Sequence, residues 1–189
     1  GDTRNDSGWF TGTVTLTPDS GYWISKDGTK WSDTLTVIDD GESTVTYYLK
    51  GRNGSITDQK TVTIKKDSTV PGGEIKAGEN SITKFLNTIT FGYFFKNTVD
   101  VEISGTDATS GIAKIEYQKV AKGETYNADG TWTAGKSFSM TANDKSVIYA
   151  RITDVAGNTV IINSQGIVVY TDATTSDSVE YTRTTKTDV

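Results

Sequence analysis

The sequence contains no cysteine and no histidine. Without cysteine, neither a disulfide nor a cysteine-ligated zinc or iron–sulfur site can form. Without histidine, the Ser-His-Asp arrangement of many hydrolases and histidine-ligated metal sites are also excluded. We therefore expect that the chain is not an enzyme, and that packing and strand pairing alone hold its domains together.

Long apolar runs and an excess of basic residues are missing as well. No apolar run approaches the roughly 20 residues that a helix needs to cross a bilayer, and no signal-like segment opens the chain. With 19 basic and 24 acidic residues, the formal net charge is -5. Such a charge disfavours nucleic acid and anionic membranes as partners. We expect no nucleic-acid partner and no membrane insertion of this fragment.

The sequence is rich instead in short apolar runs of period two, which turn signals separate. Apolar residues alternate with polar ones at Val14 and Leu16, at Val45, Tyr47 and Leu49, and again from Ile148 to Ile152. Alternation of this kind predicts half-buried β-strands. A chain of 189 residues is long enough for two small domains, each with its own core. The predicted fold class is all-β.

The two halves of the sequence can be laid on each other, which indicates an internal repeat. The matched positions are Phe10 with Phe95, Val14 with Val99, Leu16 with Val101, Trp31 with Trp132, Leu35 with Phe138, Val37 with Met140, Val45 with Ile148, Leu49 with Ile152, Gly54 with Gly157, Ile64 with Val169 and Asp67 with Asp172. Aromatic residues, glycines and module ends recur in one order, which chance rarely produces. The sequence therefore predicts two β-sandwiches in tandem.

Charge, proline and glycine after residue 66 mark the boundary between the two repeats. We predict a smaller first module over residues 1–69, a second module over residues 70–172, and a linker with the start of a following module over residues 173–189. Val179 and Tyr181 would belong to the first strand of that following module. Between residues 74 and 95 we predict an edge strand and one helical turn capped by Ser81.

Three stretches carry a resemblance to a known family: residues 110–117, 132–136 and above all 149–158, with its Asp-Val-Ala-Gly-Asn turn. They resemble bacterial immunoglobulin-like repeats, which are strung along large extracellular proteins of Gram-positive bacteria, including adhesins and cell-wall proteins. The resemblance implies two immunoglobulin-like β-sandwiches that act as a spacer, stalk or adhesion segment at the cell surface or cell wall. The implied partners are neighbouring modules of the same chain, a glycan or a host surface protein.

Residues 176–189 also resemble the start of an immunoglobulin-like module found beside carbohydrate-active domains. This likeness implies an alternative function, that of a carbohydrate-binding accessory module in an extracellular protein. Module one departs from the pattern because Gly51-Arg52-Asn53-Gly54 stands where module two has residues 154–157.

Four oxygen-bearing residues predict a calcium site at the junction of the modules. In an immunoglobulin-type sandwich, the B–C and F–G loops share the end at which the chain enters. Asp107 would lie on the first loop, Asp154 and Asn158 on the second, and Asp67 in the arriving linker. Calcium takes six to eight oxygen ligands, which this set could begin to supply. The alternative is that Asp and Asn before glycine only cap turns. No other cofactor is expected.

The aromatic residues suggest a second kind of site, because tryptophan and tyrosine rings can stack on sugars. Tyr22 and Trp23 are the candidates, since neighbouring residues of a strand point to opposite faces and at least one should be exposed. Trp31 and Trp132 are matched by the repeat, which favours a structural role for these two rings.

Overall fold

The computed structural model describes residues 4–81, 83–84, 91–121, 123–124 and 126–170. Strands are the regular secondary structure of this part of the chain, which contains no helix, so the all-β prediction is confirmed. None of the described residues forms a helix long and apolar enough to span a membrane. The linker and following module that we predict over residues 173–189 lie outside the described residues.

The described residues of module one form six strands. They are β1 (Trp9–Phe10), β2 (Val14–Leu16), β3 (Tyr22–Ser25), β4 (Leu35–Val37), β5 (Gly41–Gly51) and β6 (Lys60–Lys66). One sheet has the order β1-β6-β5-β3, and β2 pairs with β4 in a second, two-stranded sheet. Of the residues that the alternation assigns to the interior, Val14 and Ile64 are buried, and the others are half-buried: Leu16, Leu35, Val37, Val45, Tyr47, Leu49 and Val62. The small core is consistent with the short length of this module.

Module two contains the remaining strands. They are β7 (Gly72–Ala77), β8 (Asn80–Ser81), β9 (Thr83–Lys84), β10 (Phe91–Phe95), β11 (Val99–Thr106), β12 (Ile112–Ala121), β13 (Thr133–Ala134), β14 (Ser137–Met140), β15 (Lys145–Asp154), β16 (Thr159–Ser164) and β17 (Gly166–Val169). Ser81 belongs to β8 and pairs with Lys76, so the expectation that it caps a helix is wrong. The helical turn predicted near it falls largely on residues 85–90, outside the described part.

Two sheets of module two face each other across one core. The first has the order β10-β17-β15-β12-β13, with β16 beside β15 and β9 beside β16, and the second has the order β14-β11-β7-β8. The shared core draws fully buried side chains from both sheets, including Ile75 and Val101 from one and Ile148, Ile152 and Ile167 from the other. Module two is thus a β-sandwich, as the sequence predicts.

Strand pairing shows that the internal repeat is structural. Val14 pairs with Val37 in module one, and the residues matched to them, Val99 and Met140, pair in module two. The edge strands agree too, because β1 runs parallel to β6 as β10 runs parallel to β17. These pairings confirm the strand matches of the overlay from Phe10 to Leu49. The match of Trp31 with Trp132 is not confirmed, because Ser32 bonds to Ile24 as Gly135 bonds to Ile115.

The last strand of the overlay is wrong by two residues. Ser43 pairs with Ile64, whereas Ser146 pairs with Ile167, so Ile64 corresponds to Ile167 and not to Val169. By the same register Asp67 corresponds to Tyr170, since their backbone N–H groups donate to the carbonyls of the matched residues Phe10 and Phe95. A shift by two residues keeps the same face of a strand inward, so alternation alone cannot detect it.

Candidate functional site

Three carboxylates meet where the linker reaches module two. Asp67 of the linker, Asp107 of the β11–β12 loop and Asp154 at the end of β15 each place one oxygen within 4.8 Å of the others. Asp67 and Asp154 are buried at 0% and 1% exposure, and Asp107 is half-buried. The β11–β12 and β15–β16 loops are the B–C and F–G loops of the sequence prediction, and the structure brings all three predicted carboxylates together.

Asp67 connects the linker to the B–C loop. Its Oδ1 accepts a hydrogen bond from the backbone N–H of Thr69 at 3.0 Å, and its Oδ2 accepts one from Ser110 at 3.1 Å. Its own N–H donates to the carbonyl of Phe10 in module one. This single residue therefore contacts both modules, which explains its complete burial.

Asp107 organises the B–C loop. Its Oδ1 accepts hydrogen bonds from the backbone N–H groups of Thr109, Ser110 and Gly111 at 3.1, 2.8 and 2.8 Å. The N–H of Ser110 thus lies between two carboxylates, Asp107 and Asp67. Turn capping by aspartate, the alternative reading of the sequence, is present at this residue.

Asp154 and Asn158 organise the F–G loop. Oδ1 of Asp154 accepts hydrogen bonds from the N–H groups of Gly157 and Asn158 at 2.7 and 2.8 Å, and its Oδ2 accepts one from the Asn158 side-chain amide at 2.8 Å. The same Asn158 amide donates to the backbone carbonyl of Asp67 at 2.9 Å. Asn158 lies beside the carboxylates as expected, and here its nitrogen positions the linker. A role for it as an oxygen ligand stays a prediction.

The spacing of the three carboxylates fits a calcium ion. Oxygen ligands lie about 2.3–2.6 Å from Ca²⁺, so two ligands on opposite sides of the ion are about 5 Å apart. Three oxygens that all lie within 4.8 Å of one another can therefore contact one ion. Backbone carbonyls and water would have to complete the six to eight ligands that calcium takes.

Within the part of the chain that the structure describes, no lysine or arginine forms an ion pair with Asp67, Asp107 or Asp154. Like charges this close repel one another strongly where solvent is excluded. The backbone N–H groups stabilise each carboxylate separately, but they bring no net positive charge to the cluster. A divalent cation would supply that charge.

A second contact crosses the junction, and the sequence offers no sign of it. The side-chain amide of Asn5 donates to the carbonyls of Val155 and Ala156, both at 2.8 Å, and so holds the F–G loop of module two. Its Oδ1 accepts from the N–H of Trp9, and its backbone N–H donates to the Trp9 carbonyl, both at 2.9 Å. The partners are 150 residues apart, so no local pattern could predict the contact.

Asp40 fixes the linker on the side of module one. It accepts hydrogen bonds from the buried Lys66 ammonium group at 2.5 Å, from the Ser68 N–H at 3.1 Å and from the Thr69 hydroxyl at 3.2 Å. The Lys66 hydrogen bond, together with the bonds from Ser68, lowers the pKa of Asp40 from 3.8 to about 2. The linker is therefore bonded to both modules within a few residues.

The structure places both candidate aromatic residues at the surface. Tyr22 is 44% exposed and Trp23 is 36% exposed, and they point to opposite faces of β3. They therefore cannot form one flat stacking surface together. Trp31 and Trp132 are half-buried, and the Arg151 guanidinium lies 4.5 Å from the centre of the Trp132 ring.

No protein-family model and no curated protein matches the sequence. Among solved structures, the chain is similar to one described as "Structures of Clostridium thermocellum CbhA fibronectin(III)-like modules". The two are 11% identical with a TM-score of 0.38, over 86% of this chain and 88% of that chain. The sandwich architecture and the junction rest on this chain's own strands and contacts.

Proposed function

We propose that this chain is a non-catalytic stalk segment of a bacterial cell-surface protein, in which one calcium ion fixes the orientation of two consecutive β-sandwiches. The ion would be held by Asp67, Asp107 and Asp154. The single observation that supports this proposal most is the meeting of these three carboxylates within 4.8 Å, at the point where the linker enters module two. The extracellular setting rests on the resemblance of residues 149–158 to bacterial surface repeats.

The position of the cluster favours a mechanical role over a chemical one. Each carboxylate comes from a different segment, namely the linker, the B–C loop and the F–G loop, so an ion bound there would cross-link all three. A ligand that binds only the assembled junction stabilises it by mass action. A spacer benefits from such a junction because a fixed angle keeps consecutive modules extended and holds the distal end away from the cell.

Thermal unfolding with calcium chloride or with a chelator tests the metal site. Calcium at about 100 times its Kd should add about 2.7 kcal/mol to the stability, a rise in Tm on the order of 10 °C. The informative variant is Asp107→Asn, because an asparagine Oδ1 can still accept the three backbone hydrogen bonds of the loop while the charge is lost.

Asp27→Asn is the matched control. Asp27 caps a turn of module one by accepting from the N–H groups of Thr29 and Lys30, at 2.8 and 2.9 Å. We expect the calcium response to disappear in Asp107→Asn and to persist in Asp27→Asn. An unchanged Tm of the natural chain in calcium would overturn the metal site and leave the carboxylates as turn caps.

The absence of cysteine makes the stalk geometry directly measurable. Spin labels on the exposed Thr61→Cys and Ser137→Cys would report the distance between the modules without competing thiols. We expect a narrow distance distribution in calcium and a broader one in chelator. Two equally broad distributions would contradict a calcium-stiffened stalk.

A further inference from the structure

The outer face of the β3–β5 pair collects aromatic and basic side chains. Trp23 pairs with Lys50 and Ser25 pairs with Tyr48 across the two strands, so these four residues share one face. The opposite face carries Ile24, which is 2% exposed in the module core. The shared face is the one opposite Ile24, and we call it the Trp23 face. Trp23 is 36% exposed on this face, whereas Ser25 is buried and accepts a hydrogen bond from the backbone N–H of Gly28.

Two further residues join the Trp23 face from neighbouring segments. The Lys50 ammonium group lies 5.7 Å from the centre of the Trp31 ring, and the Arg52 guanidinium lies 6.0 Å from the centre of the Trp23 ring. Trp31 is held there because Ser32 forms a β-bridge with Ile24, which places the segment along the outer edge of β3. Two tryptophans and two cations thus lie side by side at a sheet edge.

The two cations of this face have no acidic partner. Among the described residues, neither Lys50 nor Arg52 forms an ion pair with a carboxylate. Arg52 is exposed and Lys50 is half-buried. The face therefore offers positive charge next to aromatic rings, in a chain whose net charge is negative.

We propose that the Trp23 face binds an anionic polysaccharide built from uronic-acid units. The apolar face of a sugar ring packs against an aromatic ring, as Trp23 and Trp31 would allow. A uronate carboxylate accepts two parallel hydrogen bonds from an arginine guanidinium group, and it also forms an ion pair with a lysine ammonium group. The face pairs a cation with each of its two tryptophan rings, as a polymer whose sugars each carry a carboxylate would require.

Charge complementarity separates this ligand from the alternatives. A neutral glycan would use the rings and leave both cations unused. A nucleic acid carries a charge at every phosphate and is bound through many basic contacts, whereas the Trp23 face offers two cations. The Trp23 face provides two cations and two rings, which fits a short stretch of an anionic sugar polymer.

The proposal does not depend on the calcium junction. The Trp23 face belongs to module one and lies at the Lys50 end of β5, whereas Gly41 at the other end of β5 pairs with Lys66 next to Asp67. None of its residues is among the carboxylates of the junction. A failure of one proposal therefore leaves the other standing. The proposal assigns the stacking on sugars to Trp23 and Trp31. Tyr22, the other residue expected from the sequence to stack on sugars, lies on the opposite face of β3, close to Gly51.

Binding of polygalacturonate to the full chain tests the proposal, measured by calorimetry in chelator. The matched ligand is the same polymer with its carboxylates methyl-esterified, which keeps the sugar rings and removes the charge. We expect the esterified polymer to bind at least about tenfold more weakly, and the affinity for polygalacturonate to fall as salt is added. Equal affinity for the two polymers, or no binding of polygalacturonate, would overturn the proposal.

Variants on the two faces of β3 locate the site. Trp23→Ala and Arg52→Gln should each weaken polygalacturonate binding by about tenfold, and Arg52→Gln is the safer variant for folding because Arg52 is exposed. Tyr22→Ala, on the opposite face, should leave the affinity unchanged. An equal loss in Tyr22→Ala would refute the assignment to the Trp23 face. Tighter binding of a single-stranded oligonucleotide than of polygalacturonate would refute the choice of ligand.

Discussion

The F–G loops of the two modules occupy the same place in the repeat and yet behave differently. In module two, Asp154 accepts the hydrogen bonds of its loop, is buried, and lies within reach of two other carboxylates. In module one, the matched residue is Gly51, and Asn53 accepts hydrogen bonds from the N–H and hydroxyl of Ser55 instead. Both loops turn at a glycine with positive φ, at Gly54 and Gly157.

The difference shows that capping its own turn and docking onto the linker are separate properties of the F–G loop. Capping needs one acceptor near the glycine, and either Asn53 or Asp154 provides it. Docking needs a carboxylate that points toward the linker, and a glycine cannot supply one. A side chain at Gly51 would also approach Oδ1 of Asn53 to 2.9 Å, so the local packing of module one favours glycine there.

The largest expected difference between the two loops is in stability. Asp154→Ala removes a buried carboxylate and leaves the N–H groups of Gly157 and Asn158 without their acceptor, which should cost about 2–3 kcal/mol. Asn53→Ala removes an exposed acceptor that water can replace, and should cost less than about 1 kcal/mol. Urea unfolding in chelator measures both. Equal losses would mean that the two loops contribute alike and that burial at the junction is not decisive.

A smaller effect is expected from the contact that holds the F–G loop of module two from outside. Asn5→Asp keeps the shape of the side chain but replaces the amide that donates to Val155 and Ala156 with a carboxylate. The loss of two hydrogen bonds that cross the junction should cost about 1–2 kcal/mol and broaden the distance distribution between labels on residues 61 and 137.

The matched control for this variant is Asn53→Asp, which makes the same chemical change in the F–G loop of module one. Asn53 bonds only within its own loop among the described contacts, so the distance between modules should not change. If Asn5→Asp also leaves the distribution unchanged, then the linker alone orients the modules.

The smallest expected effect concerns the anchor of the linker on module one. The pKa of Asp40 is lowered from 3.8 to about 2, chiefly by its hydrogen bond with Lys66. The charged carboxylate therefore stabilises the fold above about pH 4, and this contribution is lost as the pH falls toward 2. Because the pair is partly exposed, Asp40→Asn should cost only about 1 kcal/mol at pH 7, and the difference from the natural chain should vanish near pH 2.

Asp39→Asn removes the same charge one residue earlier in the chain and serves as the control for Asp40→Asn. Unfolding in urea at pH 7 and at pH 2 gives the comparison. A loss of stability that is the same at both pH values would show that Asp40 acts through packing and not through its charge.

Much of the junction was predictable because the relevant rules are local or topological. Alternation places Asp107 and Asp154 at strand ends, and the sandwich topology puts those ends on one side with the arriving linker. The role of Asn158 was harder to predict, because an asparagine side chain can donate or accept and the sequence does not say which. The two faces of β3 follow from alternation, but the grouping of Trp31, Lys50 and Arg52 around Trp23 does not.

The sequence by itself determined the all-β class, the repeat and the identity of the three carboxylates, since each follows from spacing along the chain. Only the tertiary structure decided the register of the last strand, the contact of Asn5 with residues 155 and 156, and the burial of Asp67. The physical reason is that a shift of two residues keeps the same set of side chains on the inner face of a strand, so the sequence pattern does not distinguish the two registers. Contacts between segments more than a hundred residues apart depend on how two finished sheets meet.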